Sequence, residues 1–157
     1  QPAILIGVAE KGYGTLRVVA KAPGGHSSMP PVEIGSVRLA EAIIAIHKRQ
    51  FLREVHPPVT GMIETLADRK GGLVRMAAAN QLLFCRAIRN QIAKSPAGAA
   101  MLHTTIAPTM LEGSPKENVL PQTATALINY RIAPWQRSKD VMAAAKQAVG
   151  TMPVSLS

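Results

Sequence analysis

The stretch KAPGGHSSMPP, Lys21 to Pro31, places a histidine and two serines in a loop rich in glycine and proline. A serine acts as a nucleophile only when a base is held against its hydroxyl. No such base is at hand, so Ser27 and Ser28 are assigned to shaping the loop. Ser28 is a candidate N-cap for the helix that follows. Pro30 and Pro31 suit a first helical turn, where a missing N–H costs nothing. Gly24 and Gly25 let the chain turn without a Cβ penalty. His26 is the one residue that none of these tasks requires. It either bonds locally to shape the turn or offers its imidazole to something outside the loop. The other histidines, His47, His56 and His103, are scattered, and none stands at ligand spacing from a carboxylate. There is no cluster of aspartate or glutamate. The single cysteine, Cys85, permits neither an internal disulfide nor a thiolate metal cluster. It is expected to be a buried small hydrophobe. No metal site and no cofactor are expected within this chain.

The elements around this loop follow from hydrophobic periodicity. GTLRVVAKA alternates, with Leu16, Val18 and Ala20 on one side, and predicts a half-buried strand. Lys11 to Gly14 before it reads as a turn, and AILIGVA as a short strand or a connecting segment. In PPVEIGSVRLAEAIIAIHKRQFL, Ile34, Val37, Ala40, Ile44 and His47 recur at helical spacing, with Ile43 and Ile46 widening the stripe and Arg38, Glu41 and Lys48 outside. His56-Pro57-Pro58 is expected to end that helix. Residues 59–100 show no strand alternation. They read as one short helix, a Gly71-Gly72 break and a longer amphipathic helix ending near Ser95-Pro96. Then Thr105, Ala107, Thr109 and Leu111 oppose Thr104, Ile106 and Met110 in a strand whose Pro108 argues for an edge or a bulge. GSPKEN turns. TATALINYRIAP alternates with Ala124, Ala126, Ile128, Tyr130 and Ile132 inward, which leaves Asn129 and Arg131 on an open face. Ser138 is expected to cap a helix whose inner stripe is Val141, Ala144, Ala145 and Ala148 and whose stop is Gly150. MPVSLS begins a last strand.

With the helical insertion at 59–100 set aside, the order is βαββαβ. The fold class is therefore α+β: a ferredoxin-like two-layer sandwich, a four-stranded antiparallel sheet with two helices on one face. The 157 residues suffice for one domain with a real core, built from aliphatic side chains because aromatics are only 3% of the chain. No apolar run approaches the roughly 18 residues of a membrane span, and no membrane partner is expected. Because Gln1 is not a start methionine, the chain is expected to have been processed or cut from something longer.

With these elements placed, the chain resembles the dimerisation (lid) domain of the aminoacylase/carboxypeptidase family of two-zinc hydrolases, peptidase family M20. AEKGYGTLRVVAKAPGGHSSMPP resembles that domain's first strand and histidine loop, and GSPKENVLPQTATALINYRIAPWQRSKDV its later hairpin and helix. GGHSS followed by NVLP, with NYR ending thirteen positions after Asn118, is more specific than any of these motifs alone. LHTTIAPTMLEGSPKENVLPQ is most similar to the carboxypeptidase S and N-acyl-amino-acid hydrolase branch. The resemblance implies an enzyme that cuts the amide of a peptide or N-acyl amino acid with a free carboxylate, its zinc pair lying in a separate catalytic domain absent from this chain. It implies that the lid domain forms a homodimer. It further implies that His26 acts in trans, holding the scissile carbonyl oxygen in the partner subunit's active site, that Asn118 contacts substrate, and that Arg131 holds the substrate carboxylate. The side chains suit these tasks. An imidazole N–H can donate where charge develops on oxygen, and the guanidinium fork matches a carboxylate in a bidentate way. The chain alone is expected to bind no zinc and to hydrolyse nothing.

Two alternatives stay open. One is a non-catalytic dimerisation module of the same fold. The other is a ferredoxin-like nucleic-acid-binding module, prompted by the net charge of +9. The basic residues are dispersed, however, and the only strand aromatic counted, Tyr130, faces inward. No nucleic-acid partner is expected. Self-association is expected at the strand marked by Pro108.

Overall fold

The computed structural model describes residues 7, 9–70 and 72–157. AILIGVA lies almost wholly outside them. Contacts divide the chain into two compact units, one of residues 12–50 and 105–157, the other of residues 1–11 and 51–104.

The first unit holds β1 (Gly12–Lys21), β2 (Gly25–His26), α1 (Gly35–Lys48), β3 (Thr105–Glu112), β4 (Val119–Leu120), β5 (Thr123–Ile132), α6 (Ser138–Val149) and β6 (Val154–Leu156). Its main sheet is antiparallel in the order β3-β5-β1-β6, and β2 and β4 form a separate two-stranded ladder. This is the expected βαββαβ sandwich. Alternation decides which face is buried. Leu16, Val18 and Ala20 of β1 and Ala124, Ala126, Ile128, Tyr130 and Ile132 of β5 point into the core, where they meet Leu39, Ala42 and Ile46 of α1 and Val141, Ala145 and Val149 of α6. Each fully buried Val, Leu or Ile contributes about 1.5–3 kcal/mol. At the start of α1 a Cβ on Gly35 would stand 3.3 Å from the Pro121 carbonyl oxygen, so glycine lets the helix sit close to the strand ends.

Several local expectations are corrected. Residues Gly12 to Gly14 belong to β1 rather than to a turn, which puts Tyr13 in register with Arg131 on the open face of the sheet. α1 begins at Gly35, not at the prolines, and Ile34 at its N-cap makes no side-chain cap. The inner stripe of α1 is Gly35, Leu39, Ala42 and Ile46, while Val37 and Ile44 are about half exposed, at 51% and 52%. Arg38 is not simply an outer-face residue: its Nη1 donates to the Lys21 carbonyl at 2.8 Å and its Nη2 pairs with Glu33, tying the helix to the end of β1. Ser138 is the first residue of α6 rather than its cap. Asp140 reaches back instead, its Oδ2 accepting from the Arg137 N–H at 2.8 Å. Gly150 does stop the helix, at φ +53° with its N–H on the Lys146 carbonyl.

β3 is an edge strand, and it is also bulged between Pro108 and Met110. Pro108 lies opposite Ile128 and Met110 opposite Leu127, so Thr109 is the extra residue. The bulge reverses the expected phase beyond it. Met110 and Glu112 join Thr105 and Ala107 on the open face, and Leu111 falls on the helix-bearing face. There, at the rim, it is 67% exposed.

The second unit is helical: α2 (Pro57–Lys70), α3 (Gly72–Ala79), α4 (Gln81–Ile92) and α5 (Pro96–Met101). Pro57 and Pro58 open α2 rather than ending α1, as the missing N–H of a first turn permits. The expected break holds at Gly72, φ +55°, but the longer helix is divided again at Asn80. Ser95 caps α5, its hydroxyl accepting from the Gly98 N–H at 3.0 Å. In α4, Phe84, Ile88, Arg89 and Ile92 are half-buried; Cys85, one step around the helix from Phe84, is exposed rather than buried. No helix among the described residues is long and apolar enough to cross a membrane.

Candidate functional site

The His26 loop is held by backbone pairing to the loop that carries Asn118. Gly25 lies opposite Leu120 and His26 opposite Val119. The Ser27 N–H donates to the Asn118 carbonyl at 3.0 Å, and the Ala22 N–H donates to Gln122 at 3.1 Å, closing the root of the loop. Neither Gly24 nor Gly25 has a positive φ. Gly24 is needed for space instead: a Cβ there would stand 2.7 Å from Gln122 Cγ and 3.1 Å from the Leu120 carbonyl oxygen.

This arrangement sets the tautomer of His26. The Ser28 N–H donates to Nδ1 at 3.2 Å, and the Ser28 hydroxyl lies 2.8 Å from the same nitrogen. A backbone N–H can only donate, so Nδ1 is the acceptor and the ring proton sits on Nε2. Ser28 therefore serves the histidine, not the helix. The exposed imidazole keeps an Nε2–H donor that its own loop does not consume. The turn before Asn118 is closed by Ser114, whose hydroxyl donates to the Lys116 carbonyl at 2.9 Å. The Asn118 side chain is exposed and makes no hydrogen bond among the described residues.

Arg131 is elsewhere. Lys21, just before the His26 loop, pairs with Thr123 at one end of β5, whereas Arg131 pairs with Tyr13 near the other end. Eight residues at about 3.4 Å each put Arg131 some 27 Å along the strand from that loop. The Arg131 guanidinium lies 5.2 Å from the centroid of the Tyr13 ring, a cation–π contact on the open face. Asn129 Nδ2 is 3.5 Å from the Gly14 carbonyl oxygen beside it. The sequence reading missed Tyr13, which is an exposed sheet aromatic after all. Its alternation with Thr15 and Arg17 was the available signal, hidden by the flanking glycines.

The remaining histidines stand apart from His26. His47 is an exposed residue near the end of α1, outside the buried stripe in which its helical spacing predicts it. His56 Nε2 lies 2.9 Å from Glu54 Oε2. His103 precedes β3 and is buried, with Nδ1 donating to the Ala99 carbonyl at 2.8 Å. Burial pushes its pKa down, and the charges of Arg53 and Lys11 add to this against the raising effect of the Ala99 bond. Among the described residues, no three His, Cys, Asp or Glu side chains gather to hold a metal.

A family model, the peptidase dimerisation domain of the M20 group, matches residues 8–155. The chain belongs to the M20 peptidase dimerisation domain family. Its relatives are M20 hydrolases. The N-fatty-acyl-amino acid synthase/hydrolase PM20D1.1 of Danio rerio is 36% identical over 143 residues, covering 90% of this chain and 28% of that protein. Carboxypeptidase S of Saccharomyces cerevisiae is 29% identical over 132 residues, covering 79% of this chain and 23% of that protein. The M20 metallo-carboxypeptidase Sso-CP2 of Sulfolobus solfataricus shares the fold at a TM-score of 0.58 and 16% identity, with 94% of this dimerisation domain and 37% of that chain aligned. The dimerisation domain thus spans less than a third of the length of these two sequence relatives.

Proposed function

We propose that this dimerisation domain is the substrate-contacting lid of a metallo-hydrolase that cleaves the amide of a peptide or N-acyl amino acid bearing a free carboxylate. The hydrogen-bonded pairing of the His26 and Asn118 loops carries the reading. It places the His26 Nε2–H donor and the unengaged Asn118 amide on two loops paired through their backbones, and an N–H donor is what a carbonyl oxygen gaining charge requires. His26 Nε2–H steadies that oxygen, Asn118 contacts the substrate, and Arg131, backed by the Tyr13 ring, takes the carboxylate. A zinc pair, held by the rest of such a hydrolase, supplies the activated water; no residue here is assigned to it.

The separation of the two groups supports a site shared between two chains. In an amino acid the carboxylate and the amide nitrogen lie within about 4 Å, so the His26 and Arg131 of one chain cannot hold the same substrate. This supports assigning His26 to the partner subunit's site. The surface for that partner is the β3 edge with Leu111, together with Val37 and Ile44 on the exposed side of α1, which packs against β3 in the same unit.

Co-expression of two inactive full-length variants tests this, one carrying His26→Ala and one lacking a metal ligand. Random pairing makes half of the dimers mixed, each with one intact site, so about a quarter of wild-type hydrolysis should return. Activity no higher than that of the two separate variants would overturn the in-trans assignment and favour a non-catalytic dimerisation module.

A further inference from the structure

The open face of the sheet carries a hollow of about 240 Å³ lined by Arg17, Met110, Glu112, Thr125 and Leu127. Two rows of cross-strand neighbours build it. Arg17 of β1 lies opposite Leu127 of β5, which lies opposite Met110 of β3; one step along, Thr125 lies opposite Glu112. The bulge at Thr109 makes this possible. Without the extra residue, Met110 and Glu112 would point to the other face.

The charges are placed unusually. β5 separates the strands of Arg17 and Glu112, so their backbones are roughly 10–12 Å apart, and no ion pair joins them. Neither side chain has a hydrogen-bond or ion-pair partner among the described residues. A guanidinium and a carboxylate thus stand unpaired on either side of an apolar floor made by Leu127 and Met110. The hollow is smaller than the roughly 300–1,000 Å³ pockets that take drug-sized ligands, so it selects a small one.

We propose that this hollow binds a free α-amino acid with an apolar side chain, as its zwitterion. The ligand carboxylate takes the bidentate fork of Arg17, its ammonium donates to Glu112, and its side chain covers Leu127 and Met110. Acylating the amine removes the positive charge and leaves Glu112 facing an amide, so the site distinguishes a free amino acid from its N-acyl form. This does not rest on the hydrolase reading; binding and hydrolysis can fail separately.

The test uses the full-length protein with labelled methionine methyls, the Met110 signal being assigned by its loss in Met110→Leu. L-Leucine should shift that signal saturably. N-Acetyl-L-leucine, which lacks the ammonium, and L-leucinamide, which lacks the carboxylate, should each bind there at least about tenfold more weakly. Arg17→Gln and Glu112→Gln alter exposed positions and should weaken leucine by a similar factor, with Glu112→Gln leaving N-acetyl-leucine unchanged. The proposal is overturned if millimolar leucine leaves the Met110 methyl unmoved, if N-acetyl-leucine moves it equally well, or if both variants bind leucine as the wild type does.

Discussion

Ser27 donates its backbone N–H to the carbonyl of Asn118 at 3.0 Å. This bond joins two loops that lie about ninety positions apart in the chain, and it makes His26 and Asn118 one unit. The loop is held by main-chain pairing, so removing the imidazole leaves that pairing in place and loses only the Ser28 contacts to Nδ1.

His26→Ala in the full-length enzyme should therefore lower kcat while changing KM little. Loss of one donor to a developing oxyanion costs about 2.7–4 kcal/mol, or roughly a hundred- to a thousandfold in kcat. Steady-state kinetics on an N-acyl amino acid measures this. Wild-type turnover would remove His26 from the chemistry.

Arg131→Lys keeps the charge and loses both the planar fork and its stacking on Tyr13. Charged hydrogen bonds contribute about 1.5–3 kcal/mol, so kcat/KM should fall roughly ten- to a hundredfold, with most of the loss in KM. A substrate amidated at its carboxylate should be cut equally poorly by wild type and variant. A clear difference between the two enzymes on the amide would contradict the assignment.

Leu111→Asp or Ile44→Asp places a charge on the proposed contact between copies while leaving the core untouched, because both residues are exposed in the single chain. Sedimentation velocity should show a shift toward monomer, with the melting of the isolated fold changed little. A variant that stays dimeric at micromolar concentration places the contact elsewhere.

Tyr130 is buried in the core, and desolvation pushes its pKa up to about 12 from 10.0. In the unfolded chain the phenol ionises near pH 10, while in the folded protein it stays protonated. Stability is therefore fully present below pH 10 and declines as pH rises from 10 toward 12. Urea unfolding across that range should show the decline, and Tyr130→Phe should flatten it. An unchanged slope in the variant would assign the alkaline loss to other groups.

β5 was legible in the sequence because its alternation is unbroken from Ala124 to Ile132. α1 was legible as a helix but not in phase. It carries isoleucine or valine at 37, 43, 44 and 46, around more than one face, and periodicity alone cannot say which face meets the sheet. β3 was legible as an edge through Pro108. The phase beyond the bulge was not, because a single extra residue leaves no mark in composition. His26, Asn118 and Arg131 could be singled out only through the resemblance of their motifs to the M20 dimerisation domain. Their division between opposite ends of the sheet came only from the register of Lys21 with Thr123 and of Tyr13 with Arg131.

The two rims of the sheet are unequal, with β3 eight residues long and β6 three. Two copies that add β3 to β3 consume both long rims at once and leave only short ones outward. Such pairing is self-complementary about a twofold axis and closes at two chains, so no long strand is left to template a third and the sheet does not grow into a filament.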